Sequence, residues 1–159
     1  MARPIYFHGE LDFYWVREGV IAGADLPMSK EAIEEIAGYG IKRVVSVEQP
    51  DRVAVLLEGT GIDQLKLAFK DFSTPSAGQV KTFLHYIGEA LVNKEPVMVH
   101  CAAGCGRTGL LLMLYLMFFE SWDLEQGLAE LRTYRPCAVE SLDQEQFLQR
   151  FNPAEYREV

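Results

Sequence analysis

The chain has 159 residues, 49% of them hydrophobic, and 15 basic against 23 acidic side chains give a formal net charge of −8. That length fits one domain over residues 1–159 with a sizeable core, and the acid excess argues against nucleic acid or an anionic membrane as partner. The longest apolar run, 110–119, is about half of the ~20 residues that span a bilayer and reads as a buried core helix. No N-terminal signal pattern is visible. The three cysteines fit a reducing, cytoplasmic setting better than a disulfide framework. The scattered His8, His85 and His100 show no zinc-ligand spacing, so neither a metal nor another cofactor is expected.

In chain order, residues 1–13 resist assignment and read as an edge strand or a draped arm. Residues 14–16 and 20–23 read as short strands around a turn at Glu18-Gly19, with Trp15 as a core anchor. Ser29 caps a helix that carries Glu31, Glu34 and Glu35 early, turns Ile33, Ile36 and Ala37 inward, and ends at Gly38 and Gly40. The β-branched run 44–47 fits a buried parallel strand. A short helix over 51–58 is stopped by Gly59 and Gly61, a strand follows over 62–69, and 70–75 is a loop. Ser76 and Gln79 form a capping box at the start of a long helix, which Glu95-Pro96 breaks before a strand over 97–101. Three helices close the chain: 107–120, one capped by Asp123 and ended by Arg135-Pro136, and one capped by Ser141. Alternating strands and helices predict an α/β fold, a central, mainly parallel twisted sheet of about five strands flanked by helices.

The chemistry concentrates in Val97-Met98-Val99-His100-Cys101-Ala102-Ala103-Gly104-Cys105-Gly106-Arg107-Thr108-Gly109, a strand, a Gly-rich turn and an apolar helix. Backbone amides at such a turn converge on the helix N-terminus and suit an anion. Ala102, Ala103, Gly104, Cys105 and Gly106 keep the turn uncharged, and Arg107 adds a planar fork matched to phosphate oxygens. A thiol held beside a helix N-terminus and a guanidinium is biased toward the thiolate, so Cys101 is the candidate nucleophile for attack on phosphorus.

His100-Cys101-x5-Arg107-Thr108-Gly109 resembles the signature of the protein tyrosine phosphatase superfamily, in its small, dual-specificity-like, archaeal-type branch. The likeness extends over roughly residues 14–150 and implies the cysteine-phosphatase fold. It implies that Cys101 forms a cysteinyl-phosphate, that Arg107 holds the transferring phosphoryl group, and that Thr108 eases departure of the sulfur. Asp71, four residues before Pro75 and just ahead of a capped helix, matches the family's general acid, although the branch often has Pro where this chain has Lys70. His100 reads as a hydrogen-bonding post that holds the loop. Gln144 matches the position that orients the hydrolytic water, yet Ser141-x-x-Gln144 is equally a capping box. Glu140 stands where many relatives have Gln. Arg135 reads as a support for the phosphate loop. Cys105 is either a small loop filler or a thiol able to pair with an oxidised Cys101.

The uncharged positions 102, 103 and 105 weigh against phosphoinositide and RNA substrates, and Phe72 beside the acid favours phosphotyrosine over phosphoserine or phosphothreonine. The reading is therefore a monomeric protein phosphatase. A phosphatase of a nucleotide, polyphosphate or inositol phosphate and a non-catalytic phosphate-binding module are the alternatives.

Overall fold

The computed structural model describes residues 5–157, with the side chains of 5–8 left aside. Six strands form one sheet: β1 (Ile5–His8), β2 (Asp12–Arg17), β3 (Ile21–Ala24), β4 (Arg43–Ser46), β5 (Asp63–Lys66) and β6 (Val97–His100), in the order β1-β2-β3-β6-β4-β5. The four strands β3, β6, β4 and β5 run parallel, and β1 and β2 continue the sheet antiparallel at one edge. Five of these strands are the expected ones, and β1 resolves the ambiguous N-terminal stretch as an edge strand.

The helices are α1 (Lys30–Gly38), α2 (Pro50–Leu57), α3 (Ala77–Asn93), α4 (Gly106–Phe119), α5 (Leu124–Tyr134) and α6 (Leu142–Arg150), followed by a 3-10 turn at Pro153–Tyr156. Their starts follow from local chemistry. Ser29 and Asp123 each accept an N–H of the first turn, and Ser76 with Gln79 and Ser141 with Gln144 form full capping boxes.

Successive side chains of a strand point to opposite faces, so the sheet separates two cores. Val45 and Val99 join α3, α4, α5 and α6 on one face, and Val44 and Met98 join α1 and α2 on the other. Trp15 belongs to the second core, edge-on to Phe13 at 5.1 Å. Helix α4 is apolar on every side because its whole stretch 110–116 is buried. Each buried leucine there contributes about 1.5–3 kcal/mol of transfer free energy. Among the described residues, no helix is long and apolar enough to cross a membrane.

In register, Ala24 and Ser46 both lie opposite His100. The chain segments that leave β3, β6 and β4 therefore emerge side by side at the carboxyl edge of the sheet, where α/β folds bind their ligands.

Candidate active site

Cys101 follows β6 directly, is only 3% exposed, and is the single unpaired cysteine. The turn after it is held from several sides. Tyr14 Oη donates to Gly104 O at 2.8 Å, Leu26 N donates to Ala102 O at 3.0 Å, and Arg135 Nη2 donates to Ala103 O at 2.7 Å. Gly104 sits at φ +73° with its α-carbon against the Ala24 backbone, where an added Cβ would lie 2.7 Å from Ala24 C and O. Only glycine meets both conditions. Among the described residues, Gly106 alone of 102–107 gives its N–H to an acceptor, Glu140 Oε1 at 2.9 Å, so the other donors of the turn are unpaired.

His100 is fully buried and ties this turn to the sheet. Its Nδ1 lies 3.1 Å from Cys101 O, and a carbonyl only accepts, so Nδ1 carries the proton. Nε2 then accepts from the Ser46 hydroxyl at 2.7 Å, and Gln64 Nε2 donates to the same Ser46 oxygen at 2.9 Å. Burial pushes the imidazole down to about 4, against a smaller upward effect of the Cys101 carbonyl. The ring is neutral at ordinary pH, and its two hydrogen bonds connect the Cys101 carbonyl to Ser46 on β4.

Arg107 opens α4 and is 2% exposed. Its Nη1 donates to Phe69 O at 2.9 Å, and its Nη2 pairs with Glu48 Oε1 at 2.8 Å. Nε has no hydrogen bond and lies 3.4 Å from Asp71 Oδ1. The neighbouring Thr108 hydroxyl is buried and equally without a partner. A buried guanidinium with an unspent donor costs free energy unless a ligand completes it.

Asp71 stands on the loop between β5 and α3, and its contact with Arg107 puts that loop over the turn. Phe72 N donates to Asp71 Oδ1 at 3.0 Å, while Phe72 itself takes φ +61° and leaves its ring 56% exposed. Two bonds from the α5–α6 side hold this loop down: Ser141 Oγ to Phe72 O at 2.8 Å and Gln144 Nε2 to Ser73 O at 3.2 Å. The Lys70 carbonyl accepts from Ser73 N and Ser73 Oγ to close a tight turn.

Gln144 is fully buried, and its Oε1 accepts from Glu140 N at 3.0 Å and Ser141 N at 3.2 Å. Its amide therefore closes the capping box and braces the Asp71 loop. It also borders the turn, since a Cβ on Gly106 would sit 3.0 Å from Gln144 Oε1.

Sequence reasoning brought Cys101, Arg107, Asp71, Thr108, Gln144 and His100 to one place, and the structure gathers them there. It missed Glu48, whose only signal is its position two residues past a parallel strand, and it left Glu140 without a role. The expectation that the cysteines form no disulfide framework, with Cys105 a loop filler or a partner for an oxidised Cys101, is corrected. Cys105 forms a disulfide with Cys137, 32 residues on, at a Cα–Cα distance of 5.1 Å. The α5–α6 loop folds back onto the turn and brings the two within the normal bridging range, whereas Cys101 stays at the strand end.

Comparison with known proteins gives a consistent result. A family model described as "PTP-SAK: Swiss Army Knife protein, DSP-PTPase phosphatase domain" matches residues 11–148. The mouse protein tyrosine phosphatase domain-containing protein 1 is 28% identical over 150 residues, which cover 82% of this chain and 20% of that protein. The mouse dual specificity protein phosphatase CDC14B is 40% identical over 88 residues, covering 55% of this chain and 17% of its relative. The chain thus spans about a fifth of the length of such curated relatives. Among solved structures, Tk-PTP in its active form superposes with a TM-score of 0.77 at 28% identity, covering 85% of this chain and 92% of that one.

Proposed function

Because the chain belongs to the protein tyrosine phosphatase superfamily, in its dual-specificity phosphatase-domain branch, we propose that it hydrolyses phosphotyrosine in proteins through a cysteinyl-phosphate intermediate. The observation that carries this reading is the buried Arg107, whose Nε has no hydrogen bond, at the end of a turn from Cys101 whose backbone donors are largely unpaired. A phosphate dianion completes both: its oxygens accept from the turn N–H groups and from the guanidinium.

In the first step the Cys101 sulfur attacks phosphorus, the S–P bond forms, and the P–O bond to the leaving group breaks. Asp71 gives its proton to the departing phenolate oxygen. In the second step water attacks phosphorus, its proton goes to Asp71, and the sulfur leaves beside the Thr108 hydroxyl. Glu48 and the Phe69 carbonyl occupy the two Nη nitrogens, which leaves Nε as the donor available to a phosphoryl oxygen. The exposed Phe72 ring next to the acid supports an aromatic leaving group, because it offers a face on which a phenyl ring packs.

The test is hydrolysis of a chromogenic aryl phosphate, followed by kcat/KM on matched phosphotyrosine and phosphothreonine peptides. Turnover that Cys101→Ser abolishes while retaining bound phosphopeptide supports the reading. Absence of turnover removes it, and equal kcat/KM on the two peptides removes the tyrosine preference.

A further inference from the structure

The loop between α5 and α6 grips the phosphate turn at three successive points. Arg135 holds Ala103 O, Cys137 is bonded to Cys105, and Glu140 takes the Gly106 N–H. The two hydrogen bonds involve partly exposed groups that can exchange with water, so the covalent tie is the one that water cannot replace. Its two ends differ in access. Cys105 is 7% exposed, while Cys137 is half-buried next to the exposed Pro136.

We propose that the Cys105–Cys137 disulfide is a thiol–disulfide exchange site for a dithiol reductant, and that breaking it lowers phosphatase activity; this rests on the phosphatase reading above. The thiolate of the reductant attacks Cys137 Sγ, on the more exposed of the two residues, and Cys105 leaves as a thiolate. The second reductant thiol then attacks the mixed disulfide, and Cys137 leaves. Protons from the two reductant thiols end on Cys105 and Cys137, so the protein gains two thiols and the reductant becomes a disulfide. Departure from Cys105 is favoured because that residue stands at the N-terminus of α4, where the helix dipole stabilises a thiolate.

Two consequences act in the same direction. Without the bond, residues 103–106 are held by hydrogen bonds alone, and loose placement of phosphate donors weakens binding in the transition state. The freed Cys105 also leaves a second thiol in the phosphate turn, and the fraction of it that ionises repels the substrate dianion. While bonded to Cys137, Cys105 is kept from pairing with Cys101. The active form therefore combines a reduced Cys101 with an oxidised Cys105–Cys137 pair.

The experiment takes the protein purified without reductant and counts thiols under denaturing conditions, with peptide mapping to locate them. One thiol, on Cys101, is expected before dithiothreitol treatment and three after it. kcat/KM on an aryl phosphate should fall about tenfold or more on reduction, through KM more than kcat, and return on reoxidation with glutathione disulfide. Assayed in dithiothreitol, Cys137→Ser should match the reduced wild type. If that variant does not fold, the wild-type reduction series alone decides. Three thiols before reduction, or equal or higher kcat/KM after it, overturns the proposal while leaving the phosphatase reading intact. An enzyme inactive in both states, with the thiol counts as expected, overturns the phosphatase reading and this proposal with it.

Discussion

His100 gives a stability signature that can be calculated before any measurement. Its imidazole is buried neutral and pushed down from 6.5 to about 4, chiefly by burial. In the unfolded chain the ring titrates near its ordinary value, so between these pH values the unfolded state binds the proton and the folded state does not. Stability from this group is fully present above pH 6.5, falls as pH drops toward 4, and changes no further below that. The shift limits the total loss to about 3 kcal/mol, at about 1.4 kcal/mol per pH unit. Most of it, about 2–3 kcal/mol, is lost between pH 7 and pH 4.5. The assay is urea unfolding at both pH values for the wild type and His100→Asn. At pH 7 the variant is less stable, because Ser46 and the Cys101 carbonyl lose their partner. At pH 4.5 the gap should shrink by about 2–3 kcal/mol. Comparing the two proteins cancels other titrating groups, including Asp25, whose carboxyl burial raises and which works in the opposite direction. A gap that is the same at both pH values refutes the neutral, doubly bonded histidine.

The same geometry sets the remaining expectations. Asp71→Asn should lower kcat on phosphotyrosine peptides by about 10²–10⁴, the usual contribution of a positioned acid, and steady-state kinetics with an aryl phosphate of low leaving-group pKa should show a much smaller loss. Glu48→Ala removes a charge-assisted bond to a buried guanidinium, worth about 1.5–3 kcal/mol, so kcat/KM should fall roughly 10- to 100-fold, with partial recovery in Glu48→Gln; unchanged kinetics would free Arg107 of that support. Gly109→Ala forces a Cβ to within 2.7 Å of Val139 N and 2.9 Å of Ala138 Cα. Overpacking costs about 1–3 kcal/mol against about 1 kcal/mol regained in helix propensity, so thermal unfolding should show a lower or at best equal midpoint, and a clear rise would contradict the close approach of the α5–α6 loop.

What the chain order alone determines is whatever forms within a few residues of itself. The caps at Ser29, Ser76, Asp123 and Ser141, the all-apolar α4 and the Cys101–Arg107 turn were legible because each is set by neighbouring side chains and backbone. Asp71 was singled out by the family resemblance, which expects an Asp four residues before a Pro and just ahead of a capped helix. Tertiary structure alone decided the partners of Arg107 and Cys105. Glu48 precedes Arg107 by 59 residues and Cys137 follows Cys105 by 32, and no local pattern links such pairs. They meet because parallel strands in register deliver their following segments to one edge of the sheet, and because α5 and α6 pack on α4 and turn their connecting loop back over the phosphate turn.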